Sequence, residues 1–141
     1  MEFLVNSLVV VTVVIFHYEY LHLLSRYLPR LRLRPRFKIV LGVGGALVAH
    51  AIEIWIFGAV YYVAMHEFQW GGLTGGSAYS LMECAYYSFT VFTTLGFGDI
   101  TPEGPLRYLT GIESLTGLVL ITWTASFLYI EMQKYWEDED M

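Results

Sequence analysis

The sequence predicts an all-α integral membrane fold with three transmembrane helices and one shorter re-entrant helix. Three observations carry this prediction. The 141 residues are 56% apolar and only 15% charged, whereas a soluble domain carries roughly 25% charged residues. The mean hydropathy of +0.52 comes from three long apolar runs rather than from scattered or alternating residues. Between the second and third runs lies an apolar, aromatic segment too short to cross a bilayer. A net charge of −5 repels phosphate and argues against nucleic acid as a partner. The single cysteine, Cys84, allows no internal disulfide.

The first run, Phe3 to Leu24, makes a helix of about 33 Å, enough for a hydrocarbon core of about 30 Å. A cleaved signal peptide would need a basic start and a small-x-small site, but Glu2 stands at the start and no such site follows. Residues 1–25 are therefore assigned to an N-terminal transmembrane helix and 26–38 to a basic loop. The second run, Ile39 to Met65, spans with tilt as a helix over 39–66, and its Gly42, Gly44, Gly45, Ala46 and Ala49 permit close helix contact. The third, Pro105 to Ile130, is assigned to a helix over 105–131, with Pro105 in the first turn where a missing N–H does no harm. Residues 132–141 form an acidic tail.

Six of the eight Lys and Arg, namely Arg26, Arg30, Arg32, Arg34, Arg36 and Lys38, sit in the one short loop, which predicts that the loop is cytoplasmic. The N-terminus is then outside, residues 66 to 104 are external, and the acidic tail returns to the cytoplasm of a multi-pass protein of the cell (inner) membrane. Arg30, Arg32, Arg34 and Arg36 are suited to anionic lipid at about 1 kcal/mol per charge. A role in topology alone explains them equally well.

The external segment is not an ordinary loop. After the Gly-rich turn Trp70 to Gly76, a run of about 15 residues, 79–93, suits a re-entrant half-helix. Ser80-Leu81-Met82-Glu83 has capping-box spacing at its start. Next comes Thr93-Thr94-Leu95-Gly96-Phe97-Gly98-Asp99. Dehydrating a monovalent cation requires a narrow stack of oxygens, and backbone carbonyls pointing to one axis provide it. Carbonyls alternate in direction along a β-strand, so such a segment must alternate between right- and left-handed conformations, which glycine permits. Gly96 and Gly98 at i, i+2 meet that need. Thr94 can add its hydroxyl, and the C-terminus of the half-helix directs about half a negative charge toward the path.

Thr94-Leu95-Gly96-Phe97-Gly98-Asp99 resembles the signature of the potassium-channel pore-domain family, commonly Thr-Val-Gly-Tyr-Gly-Asp. The resemblance covers residues 39–131 as outer helix (39–66), pore helix (79–93), filter (94–99) and inner helix (105–131), of the small prokaryotic two-transmembrane ion-channel type with an added N-terminal helix. It implies a homotetramer around a central pore, with potassium ions bound in file by Thr94, Leu95, Gly96 and Phe97 and the filter completed by Gly98. It implies no catalytic residue, organic substrate or cofactor beyond the permeant K+. Tyr86 and Tyr87 fall where the family carries an aromatic pair on the pore helix, and Gly117 falls near its inner-helix hinge. Two departures stand out: Leu95 replaces a β-branched residue, and Phe97 lacks a hydroxyl to tie the filter to the pore helix. A weakly selective monovalent cation channel of the same fold is the alternative they raise.

Ionisable residues within spans are costly and become functional candidates. Counting depth along each helix puts His50 and Glu53 of the second span near the level of Glu113 in the third, which predicts one buried cluster behind the filter. Glu113 is expected to act from behind the filter by meeting Ser88, Thr90 or Thr93. Thr90, Thr93, Tyr86, Tyr87 and Asp99 complete the filter support, with Tyr87 or Tyr86 donating to Asp99. Gly117 is expected to bend the inner helix, while Leu118, Ile121, Ala125 and Tyr129 line the inner vestibule, Tyr129 at its constriction. His17, Glu19 and His22 are expected to snorkel to the inner interface. A different class, a haem- or metal-binding membrane protein using histidines 17, 22, 50 and 66, lacks supporting spacing: there is no His-Glu-x-x-His or Cys-x-x-Cys-His.

Overall fold

The computed structural model describes residues 1–76 and 80–139. Three long helices run through it: α1 (Glu2–Tyr27), α2 (Pro35–His66) and α4 (Leu106–Glu139). Each is long and apolar enough to cross a membrane. A shorter helix, α3 (Leu81–Phe92), is inserted between α2 and α4, and two-residue strands β1 (Leu73–Thr74) and β2 (Thr101–Pro102) pair antiparallel beside it. α3 packs on both α2 and α4, while α1 lies against the same two helices from outside. The protein is thus an all-α membrane protein, with one helix added to a two-span core.

Two boundaries differ from the sequence reading. The basic loop 26–38 is mostly structured, because a 3-10 turn over Leu28–Arg30 follows α1 and Pro35, with its preset φ, opens α2. The tail 132–141 is not a separate segment: α4 continues to Glu139, for about 50 Å at 1.5 Å per residue. Gln, Lys, Glu and Met are good helix formers, and Lys134 pairs with Glu131 at 2.6 Å. Glu131 also accepts from Ser25 Oγ of α1 at 3.0 Å, and Lys38 of α2 sits over the Tyr135 ring, so the three long helices are tied at this end. Asp140, Met141 and the expected first residue of the half-helix, Tyr79, lie outside the described residues.

α3 begins where the capping signal predicts. Ser80 adopts an extended backbone and its Oγ accepts from the Glu83 N–H at 3.2 Å. Two glycines let α3 sit deep. A Cβ at Gly58 of α2 would come within 2.9 Å of Ala85 Cα, and one at Gly117 of α4 within 2.1 Å of the Phe92 carbonyl oxygen. Around this seat Phe57, Tyr61, Cys84, Phe92, Leu106, Leu109 and Leu120 form the buried core.

Candidate functional site

The filter segment leaves the C-terminus of α3 and turns back toward the β1–β2 pair. Positive φ values occur at Thr94 (58°), Gly96 (55°) and Gly98 (79°), and at neither Leu95 nor Phe97. The backbone therefore alternates in handedness residue by residue, the condition for successive carbonyls to share one side. Gly96 and Gly98 adopt this at little cost. Thr94 does not, and a left-handed non-glycine residue costs of order 1–2 kcal/mol. Hydrogen bonds on either side hold it there: Thr94 N–H to the Val91 carbonyl and Gly96 N–H to the Thr90 carbonyl, both at 2.9 Å.

The supporting side chains divide the work. Tyr86 OH donates to Asp99 Oδ2 at 2.7 Å, and Asp99 Oδ1 accepts from the Ile100 N–H at 3.1 Å, which fixes the C-terminal end of the segment to α3. Tyr87 is turned inward, its hydroxyl 2.9 Å from Thr110 Oγ1 of α4. Thr90 and Thr93 hydroxyls donate back to the carbonyls of Tyr87 and Phe89 within α3 and so brace the helix rather than the filter. Gly75 was legible only as part of a turn. Its φ of +104° brings the loop so close that a Cβ would lie 1.9 Å from the Asp99 carbonyl oxygen, so it backs the C-terminal end of the 94–99 segment.

Glu113 is fully buried behind α3. Tyr61 OH of α2 donates to its Oε2 at 2.6 Å, and Ser88 Oγ of α3 contacts its Oε1. The expected single cluster of His50, Glu53 and Glu113 is corrected, because there are two separate networks. Glu53, also fully buried, receives His17 Nδ1 at 2.6 Å on one oxygen and His50 Nδ1 at 2.8 Å on the other. His17 does not snorkel: it is fully buried between α1, α2 and α4, whereas His22 is exposed.

On α4, Gly117 serves close packing against Phe92, and the helix runs without a break through the position expected to act as its hinge. Leu118, Ala125 and Tyr129 are exposed along one stripe, while Ile121 turns partly inward against the core. Leu95 and Phe97 are more than 60% exposed on the single chain, where with Tyr86, Phe89, Thr90 and Thr93 they line a groove of about 390 Å³.

No curated protein and no solved structure matches the chain. A family profile described as "Ion channel" matches residues 49–134, more than half of the chain, from the middle of α2 through α3 and the filter segment into α4. The chain therefore belongs to this ion-channel family, with α1 and the first turns of α2 lying ahead of the matched region.

Proposed function

We propose that the protein is a homotetrameric, potassium-selective channel whose filter runs from Thr94 to Gly98, passing K+ down its gradient. The observation that supports this most directly is the alternating handedness over Thr94, Gly96 and Gly98 at the C-terminal end of a short buried helix. One chain cannot enclose a path, and closed cyclic symmetry is the usual way for identical chains to do so. Four copies would cover the exposed Leu95 and Phe97 and would bring Glu67, Asp99 and Glu103, all exposed, around one mouth where they concentrate cations. The carbonyls of Thr94, Leu95, Gly96 and Phe97 then replace the hydration shell of K+. Leu118, Ala125 and Tyr129 line the inner vestibule, and the loop carrying Arg30, Arg32, Arg34 and Arg36 is cytoplasmic and meets anionic lipid headgroups.

Flux from liposomes containing the purified protein tests the reading, with efflux under a K+ gradient compared with that under a Na+ gradient. We expect K+ flux at least tenfold above Na+. Equal fluxes would assign the weakly selective alternative, and absence of both would overturn the channel mechanism. Tyr86→Phe removes the one side-chain bond between α3 and Asp99 described above, so it should lower the K+ over Na+ ratio while leaving assembly intact. An unchanged ratio would show that Asp99 is held by other contacts.

A further inference from the structure

We propose that His17, His50 and Glu53 form a divalent transition-metal site of the zinc class, buried between α1 and the two-span core. The three side chains each offer a ligand atom, and these atoms lie within 4.8 Å of one another. Two imidazole nitrogens and a carboxylate oxygen are the donor set that zinc and its neighbours accept, with small adjustments opening the present 2.6 and 2.8 Å contacts to a shared centre.

Three further features favour a metal over a plain hydrogen-bonded pair. Thr124 Oγ1 of α4 lies 3.3 Å from His17 Nε2. An outward N–H there directs the Nδ1 lone pair at Glu53, the arrangement that outer partners of metal-bound histidines impose. His50 Nε2 is buried without a hydrogen-bond partner among the described residues, so among them the one polar contact that orients this imidazole is that of Nδ1 with Glu53, at the shared centre. The carboxylate itself sits in an apolar setting, with the Trp123 ring 5.2 Å from His17 and the Phe92 ring 5.7 Å from His50. A buried carboxylate needs a compensating cation. A metal ion supplies it where both imidazoles are neutral. The ligands come from α1 and α2 beside the last residue of α3, so a bound ion would pin the added helix to the element that carries the filter.

The test is metal binding to the full-length protein in detergent, stripped with chelator and then titrated with Zn2+ against a chromogenic competitor. The absorption of a Co2+-loaded sample serves as a second readout. We expect one Zn2+ per chain and visible d–d bands from Co2+, both unchanged by the double substitution His22→Ala/His66→Ala of the exposed histidines. Glu53→Gln and His50→Asn should each weaken binding at least 100-fold, and Thr124→Val about tenfold. His50 is partly exposed, so His50→Asn carries the test if Glu53→Gln does not fold. Wild-type binding no tighter than that of His50→Asn would overturn the site and leave the triad holding protons alone. Loss of binding on removing His22 and His66 would equally overturn it.

Discussion

Replacing Gly117 by alanine should cost the protein both stability and selective conduction, although the change adds one methyl group to a residue in the middle of a helix. Gly117 stands one turn beyond Glu113 on α4, and this pair faces Phe92 and Ser88, likewise one turn apart on α3. The new Cβ would lie 2.1 Å from the Phe92 carbonyl oxygen and 2.8 Å from its carbon. Both are backbone atoms, so no side chain can rotate away and the helices must separate by about 1 Å. Overpacking of this kind costs about 1–3 kcal/mol, and the upper end applies where backbone must move. The displaced residue is two positions before Thr94, whose left-handed conformation depends on the Val91 and Thr90 carbonyls of the same turn. We expect a lower thermal midpoint in detergent and at least a tenfold loss of the K+ over Na+ flux ratio. Gly44→Ala on α2 provides the internal control. A Cβ there meets nothing within 4 Å, so removing a helical glycine should raise stability by about 0.5–1 kcal/mol. If both substitutions behave alike, close packing is not what Gly117 provides.

How much of this was legible in the sequence depends on what kind of information each feature needed. The alternating backbone of residues 94–98 was readable because its requirement is written in residue type: Gly96 and Gly98 are where left-handed conformations are cheap. The left-handed conformation of Thr94 was not readable, because a threonine gives no such signal. The start of α3 was readable from Ser80 and Glu83, since a cap is a local interaction over three residues. Of the polar networks, the contact of Glu113 with Ser88 and the pairing of His50 with Glu53 were readable, but their separation into two networks was not. Depth along a helix can be counted at 1.5 Å per residue, and Glu53 and Glu113 are both fully buried, with His50 partly so. Counting gives height but not azimuth. Helices that are apolar all round offer no amphipathic stripe to say which face turns where. Glu53 therefore meets His17, 36 residues away on α1, while Glu113 faces α3 and Tyr61. The same gap hid the inward turn of Ile121 and the seat that Gly58 and Gly117 make for α3.

Glu113→Gln should leave stability within about 1 kcal/mol of wild type, whereas Glu113→Ala should lose about 2–4 kcal/mol per chain, and a count of protons explains the contrast. Ser88 Oγ has one hydrogen but two acceptors in reach, the Ile54 carbonyl oxygen at 2.8 Å and Glu113 Oε1. Tyr61 spends its single hydrogen on Glu113 Oε2 at 2.6 Å, and Thr110 spends its own on the Leu106 carbonyl while receiving that of Tyr87. The contacts of Glu113 and Ser88 are all satisfied at once if the Ser88 hydrogen goes to Ile54 and Glu113 carries a proton that it donates to Ser88 Oγ, and only the longer Tyr61–Thr110 approach at 3.2 Å is left without a hydrogen. Glutamine reproduces this pattern: its amide N–H donates to Ser88 and its oxygen accepts from Tyr61. Alanine instead leaves the Tyr61 hydroxyl without its acceptor and opens a cavity among α2, α3 and α4. Each unpaired buried group costs about 1–3 kcal/mol. Interhelical bonds in membranes average nearer 0.6 kcal/mol, because the separated helices find other partners, so the cavity supplies most of the loss. Thermal unfolding in detergent, followed by tryptophan fluorescence, separates the variants, and liposome flux shows whether the filter stays conducting in Glu113→Gln. A Gln variant as unstable as the Ala variant would mean that Ser88 gives its hydrogen to an ionised Glu113. The charge, not the proton, would then hold α4 against α3.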